Sequence, residues 1–69
     1  MIRTDMLRGE IARAGMTQTK VAEKLGITYK TFASKMKKGI FNSDEIDTMI
    51  EVLKIEEPAR IFFAKKVSQ

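Results

Sequence analysis

The chain contains no cysteine and no histidine, and a single proline, among its 69 residues. Without cysteine it has neither a disulfide framework nor a thiolate metal site. Without histidine it loses the commonest general base, the commonest metal ligand and every Ser/His or Cys/His nucleophile arrangement. It also lacks a glycine-rich phosphate cradle. The expectation is a protein that is no enzyme, with no cofactor, no metal and no small-molecule substrate. Long apolar runs are missing too, since none approaches the roughly 18 residues of a membrane span. The start, Met1-Ile2-Arg3-Thr4-Asp5, has no apolar signal-peptide core. A soluble, intracellular protein with no membrane partner is expected.

Sixty-nine residues suffice for one domain, taken here as residues 1–69. A chain of this size buries only about 60% of its unfolded surface, so its helices must pack well or it must associate. The formal net charge is +4, and its distribution says more than its size. No acidic residue falls from Lys24 through Ser43, whereas Lys24, Lys30, Lys35, Lys37 and Lys38 all do. The acids gather downstream, at Asp44, Glu45, Asp47, Glu51, Glu56 and Glu57, where helical spacing makes them a solvated face. A basic half beside an acidic half fits one surface turned toward a polyanion.

Glycines, the proline and capping residues divide the chain into helices, and no alternation is long enough for a strand. The first helix is expected over Thr4–Ala14, with Thr4 as cap, Leu7, Ile11 and Ala14 on the buried side, and Gly15 at a left-handed end. Gly9 inside it should cost about 1 kcal/mol relative to alanine, which close helix packing would explain. The second, Thr17–Leu25, is capped by Thr17 and buries Val21, Ala22 and Leu25 before Gly26. The third starts at its cap Thr28, carries Phe32 and Met36 inward, and reaches about Lys37 ahead of Gly39. Asn42 or Ser43 opens the fourth, where Asn42 and Glu45 have capping-box spacing and Ile46, Met49, Ile50 and Leu53 form an apolar stripe. The fifth has Pro58 at its favoured first position and is expected to reach about Lys66. The fold class is all-α, a compact five-helix domain.

The segment Gly15-Met16-Thr17-Gln18-Thr19-Lys20-Val21-Ala22-Glu23-Lys24-Leu25-Gly26-Ile27-Thr28-Tyr29-Lys30-Thr31-Phe32 carries the functional information. It reads as two short helices around a tight turn. Ala22 is small enough for a close crossing, and Gly26 supplies a positive φ cheaply. Ile27 plugs the corner, and Phe32 anchors the second helix. This is the plan of a helix-turn-helix, here spanning about residues 17–37.

With its G-M-T-Q-x-x-V-A-x-x-L-G-I-T-x-x-T-F pattern, the chain resembles the Cro/cI (xenobiotic-response-element-like) family of phage and bacterial regulators. Nearly the whole chain takes part in the resemblance. It implies a lambda-repressor-like five-helix fold and a Cro-like transcriptional regulator of a phage or prophage lysis–lysogeny switch. The setting implied is the cytoplasm of a bacterial host cell. The stretches M-I-R-T-D-M-L-R-G-E and P-A-R-I-F-F-A-K-K also resemble small lytic-switch proteins of temperate phages, including modulators of repression that act as antirepressors on a partner repressor.

With Phe32 and Met36 turned inward at about 100° per residue, Lys30, Ser34 and Lys37 point outward. Tyr29 and Lys30 occupy the first turn, which reaches base edges in this motif. Base contacts are therefore assigned to Tyr29, Lys30, Thr31 and Ser34, with Lys30 suited to guanine O6/N7 and Tyr29 to a thymine methyl or a phosphate. The bland alternatives are solvated lysines and a Tyr29 folded back on the second helix. Phosphate contacts are assigned to Thr17, Thr28, Lys37 and Lys38, and the resemblance adds Gln18 as a clamp on the DNA backbone. The partner is then a double-stranded DNA operator. In the last helix, Ile61 and Phe62 close the core, whereas Phe63 and Val67 lie on another side. With Ile2 and Phe41 they would form an exposed apolar strip, for a homodimer on DNA or for a partner phage repressor. The alternative is a chain end that folds back over Phe63.

Overall fold

A computed structural model describes residues 2–63. They form five helices and no strand: α1 Thr4–Arg13, α2 Gln18–Leu25, α3 Tyr29–Lys38, α4 Ser43–Leu53 and α5 Pro58–Phe62. The all-α, five-helix reading holds. Helix α2 packs against both α3 and α4, while α1 packs chiefly against α5. One core joins them, built from Leu7, Ile11, Val21, Ala22, Phe32, Met36, Phe41, Ile46, Met49, Leu53, Ile55, Ile61 and Phe62. Ala14, Leu25 and Ile50, expected on buried stripes, are half-buried and pack against its edge.

Most helix ends are set by local sequence. The side chains of Thr17, Thr28 and Asn42 accept from the backbone N–H groups of Lys20, Thr31 and Glu45. Each cap satisfies one of the amides that a helix start leaves without an intrahelical acceptor. At the other ends, Gly15, Gly26 and Gly39 adopt φ of +71°, +75° and +70°. The chain then doubles back so that Met16, Ile27 and Ile40 donate to the carbonyls of Ile11, Ala22 and Lys35. This is the Schellman arrangement, in which an apolar residue after the turn packs under the helix end. Met16 and Ile27 do so; Ile40 stays exposed. Helix α4 ends the same way without a glycine: Lys54 takes φ +53° and Ile55, buried, donates to Ile50.

Five expectations need correction. Thr4 is the first helical residue and not the cap: the preceding position is Arg3, which makes no side-chain cap. Its backbone N–H instead donates to the Ile61 carbonyl at 2.7 Å, so the chain start is held by α5. The Arg3 guanidinium hydrogen-bonds Asp5 and holds that carboxyl below the usual carboxylate range. Helix α5 ends at Phe62, where Phe63 takes φ −123° and ψ 27°, earlier than expected, and the expected end near Lys66 lies outside the described residues. Gly9 is not a close-packing site, since an added Cβ would meet no atom within 4 Å. Phe41 is buried, its ring centroid 5.6 Å from that of Phe32, and so it cannot belong to an exposed strip. Finally, Glu45 is buried, whereas Asp44, Asp47 and Glu51, the other acids of α4, are exposed.

Distant parts are tied by few polar contacts. Arg13, at the end of α1, donates to Glu10 and reaches the Leu53 carbonyl at the end of α4 at 2.9 Å. A cation there satisfies a carbonyl without an intrahelical donor and complements the negative helix terminus.

Two substitutions should raise stability without touching any contact. Gly9→Ala removes the entropic cost of a mid-helix glycine, about 0.5–1 kcal/mol. Lys54→Gly removes left-handed strain from a side chain, with a gain of up to about 1 kcal/mol. Thermal unfolding should show each as an upward midpoint shift of a few degrees, roughly 4–8 °C per kcal/mol in a domain of this size.

Candidate nucleic-acid interface

Helix α3 must bury one side to hold its place, and it does so with Phe32, fully buried, and Met36. The helical period then sends Tyr29, Lys30, Thr31, Ser34, Lys37 and Lys38 outward, and all six are exposed. Tyr29 is 52% exposed, so about half of its surface is open to a ligand. No acidic residue lies in the first turn of α3, and the last turn carries Lys35, Lys37 and Lys38. The helix presents an uninterrupted basic, hydroxyl-bearing face.

Thr28 prepares the front of that face. Its Oγ1 accepts from the Thr31 amide at 3.2 Å and donates to Thr31 Oγ1 at 3.1 Å. With its only hydrogen directed to Thr31, the Thr28 hydroxyl is committed to the cap. The Thr31 hydroxyl keeps its own hydrogen for a base or a phosphate oxygen. The amides of Tyr29 and Lys30 have no acceptor within the helix and face the solvent with the positive helix end behind them. At the start of α2, Thr17 is exposed and capping, and Gln18 is half-buried beside it. The expected phosphate ligands are thus placed at two helix starts, Thr17 with Gln18 and Thr28, and at one helix end, Lys37 with Lys38.

Lys35 behaves differently from its neighbours. Its Nζ lies 3.1 Å from Glu45 Oε1, with the two side chains 29% and 9% exposed. The same oxygen accepts from the Asn42 amide at 2.9 Å, and Asn42 Oδ1 in turn accepts from the Glu45 amide at 2.8 Å. One carboxylate therefore closes the capping box of α4 and clasps the recognition helix to it. The sequence offered the box spacing but no sign of Lys35, because that partner stands ten positions earlier and meets Glu45 only after α3 and α4 turn back on each other. Lys35 also lines a shallow depression with Lys30, Thr31, Ser34, Lys38 and Ile40, so its stem remains on the outward side. Ile40, 66% exposed, is the one aliphatic side chain lining it among the described residues.

Elsewhere the surface offers less. A depression between α1 and α5 is rimmed by Glu10, Arg13, Glu57 and Arg60, which are already paired as Arg13–Glu10 and Arg60–Glu57. Among the described residues no three potential metal ligands converge, and no helix is long and apolar enough to cross a membrane. Phe63 is 59% exposed, Ile2 packs against the core edge, and Val67 lies outside the described residues.

Two helices joined at a glycine turn, the second with a basic outer face and a buried aromatic anchor, define a helix-turn-helix DNA-binding domain. The family model for the bacterial regulatory proteins of the Fis family matches residues 5–39, which is α1 through the glycine after α3. The chain belongs to that family of regulators. No curated protein and no solved structure matches it.

The Thr28 cap can be tested directly. Thr28→Ala should lower stability by about 1 kcal/mol, within the range of roughly 0.5–2 for such caps, and Thr28→Ser should restore most of it. Urea unfolding of the three proteins would check this. An alanine variant as stable as the parent would mean that the α3 start is held by packing alone.

Proposed function

We propose that the chain is a sequence-specific, Cro-like transcriptional regulator of a phage or prophage lysis–lysogeny switch, reading a short operator in double-stranded DNA. The observation that carries this reading is the outer face of α3, where Tyr29, Lys30, Thr31 and Ser34 stand exposed with no acid beside them. In this arrangement Lys30 donates to guanine O6 or N7, and the hydroxyls of Thr31 and Ser34 donate or accept at neighbouring base edges. Tyr29 packs on a thymine methyl or bonds a phosphate. Thr17, Gln18, Lys37 and Lys38 grip phosphates on either side, fixing register without reading sequence. Thr28 assists through the amides its cap leaves open. The Cro-like character and the phage setting rest on the G-M-T-Q-x-x-V-A-x-x-L-G-I-T-x-x-T-F pattern. Two copies with recognition helices about 34 Å apart would read a palindrome.

A second reading has its own observation, the exposed Phe63 beside the buried Ile61 and Phe62. An aromatic ring left in water at the end of α5 fits a surface for a second copy or for a partner repressor, and the protein would then act as a modulator of that partner's DNA binding. Both surfaces are compatible in one switch protein.

Lys30→Ala should weaken binding to the preferred operator by roughly 1–3 kcal/mol and relax discrimination at one base pair. Selection of binding sites from a random duplex pool, followed by titration at two salt concentrations, reads both effects. A variant that discriminates as well as the parent would mean that α3 enters the groove differently. Phe63→Asp should abolish self-association or repressor binding in sedimentation while leaving the helical signal intact. Unchanged association would remove the interface reading.

A further inference from the structure

We propose that Glu45 is a built-in phosphate mimic, which occupies Lys35 and withholds one cation from the DNA-facing side of α3. The inference rests on the DNA-binding reading and deepens it.

Lys35 sits between Ser34 and Met36 on α3, one residue from a proposed base contact. Its side chain lines the same depression as Lys30, Thr31, Ser34 and Lys38. A lysine there, on a flexible four-carbon stem, would ordinarily reach a phosphate at the groove edge. Its ammonium instead meets Glu45 Oε1 at 3.1 Å, where the carboxylate side chain is only 9% exposed. The carboxylate cannot readily leave, because the same oxygen accepts the Asn42 amide and α4 is capped through it. The flexible partner is the lysine. The contact is geometrically the one that a DNA phosphate oxygen would make: an anionic oxygen accepting from an ammonium. A phosphate can recruit Lys35 only by displacing it from a fixed, desolvated carboxylate.

The consequence is a count. The face of α3 carries Lys30, Lys37 and Lys38, which pair with no acid among the described residues, and Lys35 as a fourth that is internally neutralised. The number of phosphates a protein neutralises sets the salt dependence of its DNA affinity, with a log–log slope of about −0.9 per phosphate on duplex DNA. Removing the charge of Glu45 should therefore steepen the slope by about 0.9. Glutamine is the suitable replacement, since Glu or Gln at this position can close a capping box.

The experiment measures binding of a mixed-sequence DNA duplex by fluorescence anisotropy over a series of salt concentrations. The parent, Glu45→Gln, Lys35→Met and the double variant are compared. Asp44→Asn serves as a control that removes one exposed acid from the same helix turn without touching Lys35. Glu45→Gln should bind more tightly than the parent, and the ratio should grow about 3.5-fold for each fourfold fall in salt. Lys35→Met should leave affinity and slope as in the parent, and the double variant should lose the gain seen in Glu45→Gln. Asp44→Asn should not change the slope by a whole phosphate.

A Glu45→Gln slope equal to the parent's, or a Lys35→Met slope shallower by about 0.9, overturns the inference. The second result would mean that Lys35 already holds a phosphate. It remains readable even if Glu45→Gln proves too unstable to titrate, which thermal unfolding would reveal. A parent without any salt-dependent duplex binding defeats the DNA-binding reading, and this inference with it. A binding parent with an unmoved Glu45→Gln defeats the inference alone.

Discussion

Burial of the Phe32 ring decides which way the recognition helix faces. The ring has no exposed surface and lies against Phe41, so α3 cannot rotate about its axis without bringing a large aromatic into water. Full burial of such a side chain is worth about 1.5–3 kcal/mol, and Met36 one turn later adds a second anchor on the same line. Every outward residue of α3 is fixed by subtraction. Tyr29, Lys30, Ser34 and Lys37 are displayed because the other side is occupied. A functional surface with no rigidity of its own is thus held by a core that contains none of its residues.

The polar contacts take up what the core leaves undecided. Apolar burial fixes the face of a helix but is tolerant of small slides along its axis. Caps remove that freedom. Thr28 pins the start of α3 to Thr31, and Gly39 with Ile40 closes its end on the Lys35 carbonyl. Glu45 then ties that end to α4 through Lys35 and Asn42. Arg13 performs a related task for α1 and α4, joining the ends of the two helices. The ion pair and the capping box share one oxygen, so the position of α3 and the start of α4 are not independent.

The local parts of this structure were legible in the sequence. Thr17, Thr28, Asn42 with Glu45, and the glycines at 15, 26 and 39 mark helix boundaries by chemistry that acts over three or four residues. The stripes through Val21, Phe32, Met36, Ile46, Met49 and Leu53 were read from periodicity alone. What escaped was tertiary. Phe41 looked like a linker residue available to a surface strip, and only the return of the chain places its ring on Phe32. Glu45 looked like one acid among several, and its burial depends on Lys35 arriving from α3. Lys54 shows that a left-handed helix end need not announce itself with glycine when a buried residue such as Ile55 follows. For the site, the outward set on α3 was predictable from the helical period, whereas the withdrawal of Lys35 was not.

The arrangement of contacts also divides the molecule kinetically. Helix α2 packs on both α3 and α4, whereas α1 leans mainly on α5, from the opposite end of the described chain. Helix α5 has five residues and no side-chain cap, and its link to the chain start is the hydrogen bond from Arg3 to Ile61. Sub-global opening begins where burial is least and backbone bonds are few. Detachment of this α1–α5 clasp would expose Ile61, Phe62 and part of Leu7 while α2, α3 and α4 stay assembled. Amide hydrogen exchange should then show two protection tiers, with α2, α3 and α4 in the slower one.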